Sequence, residues 1–311
     1  MRVCVTGGLG FVGVHLCRLL AGRGNEVACV DRLSGRYGPG SGEDAAAGLE
    51  SLGVDVLRAG AEEPLAADLM RDCDAVVHLA ALPGVRTRHS ERALWDGNVA
   101  VTAAVLRAAE SAGARFVLAS SSSVYGEPET LPTPEDAPRR PLNAYAASKK
   151  AAEDLCFAAA ARGADAVVVR PFTIYGPGQR PDMAFAAWSD RMLRDEPVDW
   201  CAPPGTKRDF TYVGDAARGF AAALDRGEAG RAYNLGGAGP VGLEAALELL
   251  ERELGRSARR RIVGSRTAEA SITAACGRRS ARELGWVATT PLDRGLAAQA
   301  VAGRRAPALA V

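Results

Sequence analysis

A short β-branched strand opens the chain and runs straight into regularly spaced glycines: Arg2-Val-Cys-Val-Thr6-Gly7-Gly8-Leu9-Gly10-Phe11-Val12-Gly13. Side chains with a Cβ would block a tight strand-to-helix turn. Gly7, Gly10 and Gly13 let the backbone turn, approach a pyrophosphate closely, and pack the apolar-periodic helix from Val12 to Leu20 against the strand. The N-terminus of that helix then faces the anion. A second strand, Glu26 to Val30, ends in Asp31, about twenty residues beyond the glycines. A carboxylate there accepts both ribose hydroxyls of NAD and repels the extra phosphate of NADP. Arg32 and Arg36 follow and are able to bind a 2′-phosphate, so NAD is favoured while NADP stays open. A doubly wound fold that holds no dinucleotide is the alternative.

Strands and helices alternate beyond this turn. Val54–Leu57, Ala75–His78 and Arg115–Ala119 read as strands, and Glu91–Ala112 as one long helix. Ala144–Ala161 reads as a helix and Ala166–Arg170 as the next strand. This order predicts an α/β fold, a doubly wound parallel sheet with helices on both faces. Past Pro171 the pattern changes to Pro/Gly-rich connections between shorter helices, at Met183–Arg194, Asp215–Arg226, Leu243–Leu254 and Pro291–Ala302. These predict a smaller C-terminal lobe closing over the carboxyl ends of the strands. Gly35–Gly42 and Gly255–Arg261 read as exposed loops, and no internal repeat is present.

Tyr145 and Lys149, in Asn143-Ala-Tyr-Ala-Ala-Ser-Lys149, carry the chemistry. Four residues apart on a helix, they share one face. An ammonium beside a phenol favours the phenolate, and moving tyrosine from near pKa ~10 to neutrality takes about 4 kcal/mol, within reach of a close cation in a semi-buried site. The product is a base able to take an alcohol proton while hydride leaves the same carbon. The chain has only three lysines against 35 arginines, so a lysine at 149 points to a need for a compact ammonium. A surface helix carrying one Tyr and one Lys is the bland alternative.

Composition narrows the class. At 311 residues the chain is long enough for one or two domains with a large core. A net charge of +1 offers no footprint for nucleic acid or an anionic membrane. A strand at residue 2 predicts no signal peptide, and no apolar run reaches membrane-spanning length. Seven scattered cysteines without a Cys-x-x-Cys pair predict small core residues in a reducing compartment, with neither metal nor disulfide. The expected protein is soluble and cytoplasmic. Heavy Ala/Arg/Gly usage suggests a GC-rich bacterial genome.

Thr6-Gly-Gly-x-Gly-x-x-Gly13, Asp31, His78-Leu-Ala-Ala81, Asn98, Ser120-Ser-Ser-Ser-Val-Tyr-Gly126, Tyr145-x-x-x-Lys149, Arg170-Pro-Phe-Thr-Ile-Tyr-Gly-Pro177, Arg208-Asp-Phe-Thr-Tyr-Val213 and Asn234-Leu-Gly-Gly237 occur in this order. Together they resemble the extended short-chain dehydrogenase/reductases, across nearly the whole chain. Among these the chain is most similar to the nucleotide-sugar 4-epimerases, and within them to UDP-glucuronate 4-epimerases, through Leu82-Pro-Gly-Val-Arg86, the four-serine run and Gly178-Gln-Arg-Pro-Asp-Met183. The resemblance implies a Rossmann-type NAD-binding domain at 1–170, with 204–230 packing back onto it. It also implies a smaller α/β substrate-binding lobe formed by 171–203 and 231–311.

By the same resemblance Gly7, Gly10, Phe11, Val12, Gly13, Asp31, Arg32, Leu79, Ala80, Ala81, Asn98, Tyr145 and Lys149 hold the cofactor. Ser121 hydrogen-bonds the sugar 4-oxygen beside Tyr145. Arg208 and Arg266 clamp the diphosphate of the UDP-sugar, a task suited to guanidinium forks. Ser122, Ser123 and Thr173 are neutral donors that fit a C6 carboxylate, and Arg180 is a candidate for the same pocket. Trp200, Phe185 and Trp188 either flank the uracil or serve as packing. A homodimer, pairing through the helices at 91–112 and 144–161, is expected by analogy.

The implied reaction removes the C4 hydroxyl proton to Tyr145 as hydride moves to NAD, gives a transient 4-keto sugar, and returns hydride to the opposite face. Dehydratases carry an acidic pair where Ser122 and Ser123 stand, and neither hydroxyl performs that step. UDP-glucuronate decarboxylase, UDP-galactose 4-epimerase and a non-catalytic NAD-binding regulator remain as alternatives. Two departures from relatives stand out. Their adenine-binding aspartate near position 60 is replaced by Arg58-Ala-Gly60-Ala-Glu62, and a Gly-Asp pair after Arg266 reads Ala268-Glu269.

Overall fold

A computed structural model describes residues 1–33, 41–84, 89–264 and 269–305. In chain order these form β1 (Arg2–Thr6), α1 (Phe11–Gly22), β2 (Glu26–Asp31), α2 (Ser41–Glu50), β3 (Asp55–Arg58), α3 (Pro64–Met70) and β4 (Ala75–His78). Then come α4 (Glu91–Leu94), α5 (Val101–Ala112), β5 (Arg115–Ala119), α6 (Ala144–Ala161), β6 (Ala166–Pro171), β7 (Thr173–Tyr175), α7 (Ala184–Leu193), β8 (Val198–Trp200) and β9 (Lys207–Tyr212). The rest is α8 (Val213–Arg226), β10 (Ala232–Leu235), β11 (Pro240–Gly242), α9 (Leu243–Leu254), β12 (Arg260–Ile262) and α10 (Leu292–Arg305).

Seven strands make one parallel sheet in the order β10-β6-β5-β4-β1-β2-β3. Both faces are covered, which is why these strands read as continuous apolar runs rather than alternating ones. Successive side chains still part to opposite sides. Val3 and Val5 pack with Leu16 and Leu20 of α1 and Phe220 and Leu224 of α8. Cys4 packs with Met70 of α3, Val105 and Ala109 of α5, and Cys156 of α6. Each fully buried valine or leucine contributes about 1.5–3 kcal/mol of transfer free energy. The chain leaves β1 in one direction for β2 and β3 and in the other for β4, so a crevice opens at the carboxyl ends of β1 and β4.

A second body of structure lies beyond β6. Strands β11, β9 and β7 form a small sheet, β12 pairs with β8, and Phe185, Trp188, Phe210, Leu247 and Leu250 share one core. Phe185, Trp188 and Trp200 pack in that core: Trp188 and Trp200 stack at 5.5 Å between ring centroids, and Phe185 meets Phe210 at 4.9 Å.

Several expectations need correction. The helix expected over 91–112 is interrupted, since Trp95–Ala100 forms a π-helical stretch between α4 and α5. The extra residue turns Asn98 toward the chain at Leu82, and Gly97 is required there because a Cβ would sit 2.7 Å from the Leu82 side chain. The loop expected at Gly255–Arg261 gives its last two residues to β12, which finds a partner in β8. Of the loop expected at Gly35–Gly42, residues 41 and 42 begin α2, and 34–40 lie outside the described residues. Ala232–Leu235, expected in the second lobe, is instead the edge strand of the main sheet beside β6.

Candidate active site

The glycine turn is built as a cradle. Gly7 has φ +71°, and a Cβ on it would lie 2.7 Å from the Ala80 nitrogen. On Gly13 it would meet the Gly7 carbonyl oxygen. Gly10 precedes α1 with extended backbone and no side-chain cap, and the first turn of α1 holds no acidic residue. The positive end of the α1 dipole therefore faces the turn with no acidic side chain to offset it. Asp31 is aimed by the backbone: one carboxylate oxygen accepts the Leu9 N–H and the other the Leu33 N–H, each at 3.1 Å. These features fit the dinucleotide that the turn implies.

A cavity of about 990 Å³ runs from this turn across the strand ends to the second body. The expected cofactor residues Gly7, Gly10, Phe11, Val12 and Gly13 line it, as do Asp31, Arg32, Leu79, Ala80 and Ala81. So do Ser121, Ser122 and Ser123, Tyr145 and Lys149, and, from the far wall, Thr173, Arg180 and Arg208. Asn98 does not. It is 1% exposed and stands behind the wall, with its amide bonded to both the N–H and the C=O of Leu82 and to the Ser148 hydroxyl at 2.9 Å. The π-helical turn points its side chain into the protein, where it holds the wall at Leu82. Arg266, Arg86 and Arg36 lie outside the described residues.

Asn143 caps α6 by accepting the Ala146 N–H at 2.9 Å, which starts the helix at Ala144 and puts Tyr145 in its first turn. Lys149 follows one turn later and is 3% exposed. Ser121 caps the short 3-10 turn Ser122–Tyr125 and accepts from the Ser123 N–H at 3.2 Å and the Ser123 hydroxyl at 2.9 Å. It also hydrogen-bonds the Tyr145 phenol.

Charges at the site differ from the expectation. Burial raises the Tyr145 phenol above the usual tyrosine range, while the Ser121 hydrogen bond and the Arg180 guanidinium draw it back. Arg180, from the far wall, thus adds a positive charge acting on this phenol. Burial lowers Lys149 itself to about 8, and the Glu153 carboxylate one turn on opposes that fall. Arg180 is forked onto Asp182 through two 2.9 Å bonds. Arg208 pairs with Glu269 at 3.1 Å, and both line the cavity. Glu269 is the residue that stands where relatives were expected to show an aspartate.

At the cofactor end, Arg32 forms an ion pair with Glu62, and both line the cavity. Gly60 leaves room for the guanidinium, since a Cβ there would crowd Arg32 Nε at 2.5 Å. An Arg–Glu ion pair thus borders the segment in which relatives are expected to carry an aspartate. Reading motifs alone also missed Glu153 and Arg139, which form a charge cluster under α6 with Arg170. A four-residue step beyond Lys149 on the same helix face was the available signal for Glu153.

A crevice at a topological switch point, a glycine cradle and a Ser–Tyr–Lys trio define a dinucleotide-dependent enzyme of sugar or alcohol chemistry. The chain belongs to the NAD dependent epimerase/dehydratase family, whose model matches residues 3–236. UDP-glucuronate 4-epimerase 4 of Arabidopsis thaliana is 33% identical over 324 residues, spanning 95% of this chain and 74% of its own. The UDP-glucuronate 4-epimerase of Thermodesulfobacterium geofontis (strain OPF15) is 31% identical, over 94% of this chain and 93% of its own. A crystal structure of UDP-glucuronic acid 4-epimerase from Bacillus cereus, in complex with UDP-glucuronic acid and NAD, superposes with a TM-score of 0.92. It is 32% identical, over 98% of this chain and 99% of that one.

Proposed function

We propose that this protein epimerises UDP-glucuronate to UDP-galacturonate at C4, with NAD held in the glycine cradle. The observation that carries this is the Ser121–Tyr145 hydrogen bond set beside Lys149, in a cavity that also presents uncharged Ser122, Ser123 and Thr173. Likeness to the Bacillus cereus enzyme over nearly the full chain supports it.

NAD, when bound, supplies the acceptor and later the donor of the C4 hydride. Tyr145, as phenolate, takes the C4 hydroxyl proton and later returns it, and Ser121 fixes the 4-oxygen. Lys149 holds the nicotinamide ribose and keeps a positive charge near the phenolate. Asp31 accepts the adenosine ribose hydroxyls. Arg208, with Arg266, takes the diphosphate, so Arg208 must exchange its Glu269 partner for phosphate oxygens. A β-keto acid readily loses carbon dioxide, so the carboxylate must be held where its C–C bond cannot align with the ketone. In this reading the hydroxyls of Ser122, Ser123 and Thr173, with Arg180, hold the carboxylate and supply no acid or base for elimination.

In this reading the first 170 residues with α8 form the cofactor domain, and 171–203 with the chain beyond β10 forms the substrate lobe. The reading also takes the enzyme as a cytoplasmic homodimer. Seven free cysteines suit a reducing compartment, and among the described residues no helix is long and apolar enough to cross a membrane. Light scattering tests the dimer.

Incubating the purified protein with UDP-glucuronate and separating the products by anion exchange tests the reaction. UDP-galacturonate without carbon dioxide is expected, and Tyr145→Phe should cut the rate at least about 100-fold. Carbon dioxide release, or turnover of UDP-glucose with none of the uronate, overturns it.

A further inference from the structure

Glu153 is 0% exposed, on α6 one turn beyond Lys149. Arg170 binds it as a fork, Nε to Oε1 and Nη2 to Oε2, each at 2.8 Å. Arg139 Nη1 donates to Oε2 at 3.0 Å, and the Ser120 hydroxyl donates to Oε1 at 2.5 Å. Arg170 is itself held from behind, its Nη1 donating to the Tyr125 hydroxyl at 2.8 Å and to the Glu135 carbonyl at 2.7 Å. This carboxylate has no freedom to swing.

Stability alone explains such a cluster poorly, because well-packed apolar residues commonly replace a buried ion pair at no cost. Its location explains it better. Lys149 lies four residues back on the same helix face, and Ser120 directly precedes Ser121. One carboxylate thus follows Lys149 by a helical turn and binds the residue next to Ser121.

We propose that Glu153 is the positioning residue of this site, supplying the fixed negative charge that faces the Lys149 ammonium and the acceptor that anchors Ser120, and so Ser121. The proposal rests on the reading of Ser121, Tyr145 and Lys149 as the reacting trio. The groups packed around Glu153 fit it. Arg139 comes from the loop before α6 and divides its charge between Glu153 and Asp154, which also pairs with Lys150. Arg170 comes from β6, Tyr125 from the 3-10 turn, and Glu135 from the loop behind, where Arg279 approaches it at 3.9 Å. Cys156 on α6 and His78 on β4 also sense the Lys149–Glu153 region, and burial keeps both uncharged near neutrality. Glu153 is therefore a fixed anion one helical turn behind Lys149, and it is the largest influence opposing the loss of charge from that buried ammonium.

The three lysines, at 149, 150 and 207, make the test direct. Protein labelled with 13C at lysine Cε gives three resonances, with that of Lys149 assigned from Lys149→Met, and its titration is read with no turnover. In Glu153→Gln, and in Glu153→Met should that variant not fold, the Lys149 midpoint is expected to fall by about one pH unit or more. The alkaline limb of kcat/KM should move to lower pH with it. Glu153→Asp, which keeps the charge, should restore the midpoint. Ser120→Ala should leave the midpoint in place and lower kcat about tenfold through a misplaced Ser121. An unmoved Lys149 midpoint in a folded variant lacking the carboxylate, or a fall in Glu153→Asp as large as in Glu153→Gln, overturns the proposal. Failure of wild-type protein to turn over UDP-glucuronate would instead sink the proposed function, leaving the lysine titration to be read on its own.

Discussion

The guanidinium of Arg180, forked onto Asp182, is the cation whose charge draws down the Tyr145 phenol. It reaches the site from the connection after β7, across the cavity from α6. Base strength and substrate anchoring are therefore joined in one residue, because the pocket assigned to the sugar carboxylate contains the group that tunes the base.

Arg180→Met removes a charge that favours the phenolate. Tyr145 should then titrate higher, moving the ascending limb of the kcat profile to more alkaline pH. Loss of a charge-assisted contact, worth about 1.5–3 kcal/mol, should also raise the KM for UDP-glucuronate at least about tenfold. Initial rates from pH 6 to 10, a range of roughly four units around the phenol, check both effects. A raised KM with an unshifted limb would confine Arg180 to binding.

Arg208 and Glu269 form the second relationship with a functional consequence. The 3.1 Å ion pair must open before Arg208 can meet a diphosphate. Glu269→Gln should lower the KM for the UDP-sugar while kcat changes little, and Arg208→Ala should raise it by about 10- to 100-fold. Steady-state kinetics on the two variants test this, and an increase of KM in Glu269→Gln would mean that the glutamate orients Arg208 instead of competing for it.

In the proposed reading Asp31 carries the preference for NAD. Its oxygens are aimed by the Leu9 and Leu33 amides, so Asp31→Ala should weaken NAD binding by about 10- to 100-fold and relieve repulsion of a 2′-phosphate beside Arg32. Isothermal titration with NAD and NADP measures the change in preference. An unchanged ratio would remove Asp31 from cofactor discrimination.

His78 is a built-in acid weakness. It is 1% exposed between Thr6 at 2.7 Å and Thr102 at 3.1 Å, and burial lowers it to about 3. The unfolded chain binds a proton at His78 below about pH 6.5 and the folded chain does not. Its contribution is therefore fully present above that pH and is lost as pH falls toward 3, at up to about 1.4 kcal/mol per unit. Urea denaturation at several pH values should show this slope, and His78→Gln should flatten it.

Much of this architecture was legible in one dimension. The strand–glycine–helix opening, the Asp31 at the end of β2, and α6 with its tyrosine and lysine all depend on local chemistry: Cβ-free turns, β-branched runs and side chains four residues apart. Burial of the strands on both faces leaves a continuous apolar signal that reads directly as a parallel sheet. Strands β7, β8, β9, β11 and β12 were not legible, because three- to six-residue segments are strands only by virtue of partners far along the chain. The same reason hid β10, whose partner is β6.

At the site, residue types and their order along the chain determined the chemistry, since a phenol, an ammonium and a hydroxyl have those properties wherever they stand. Tertiary structure alone decided which charge meets which group. It brought the Arg180 charge to bear on the phenol, turned Asn98 behind the wall through a π-helical stretch, and closed Arg208 on Glu269. Electrostatic interaction depends on distance and burial in space, and neither can be read from separation along a chain.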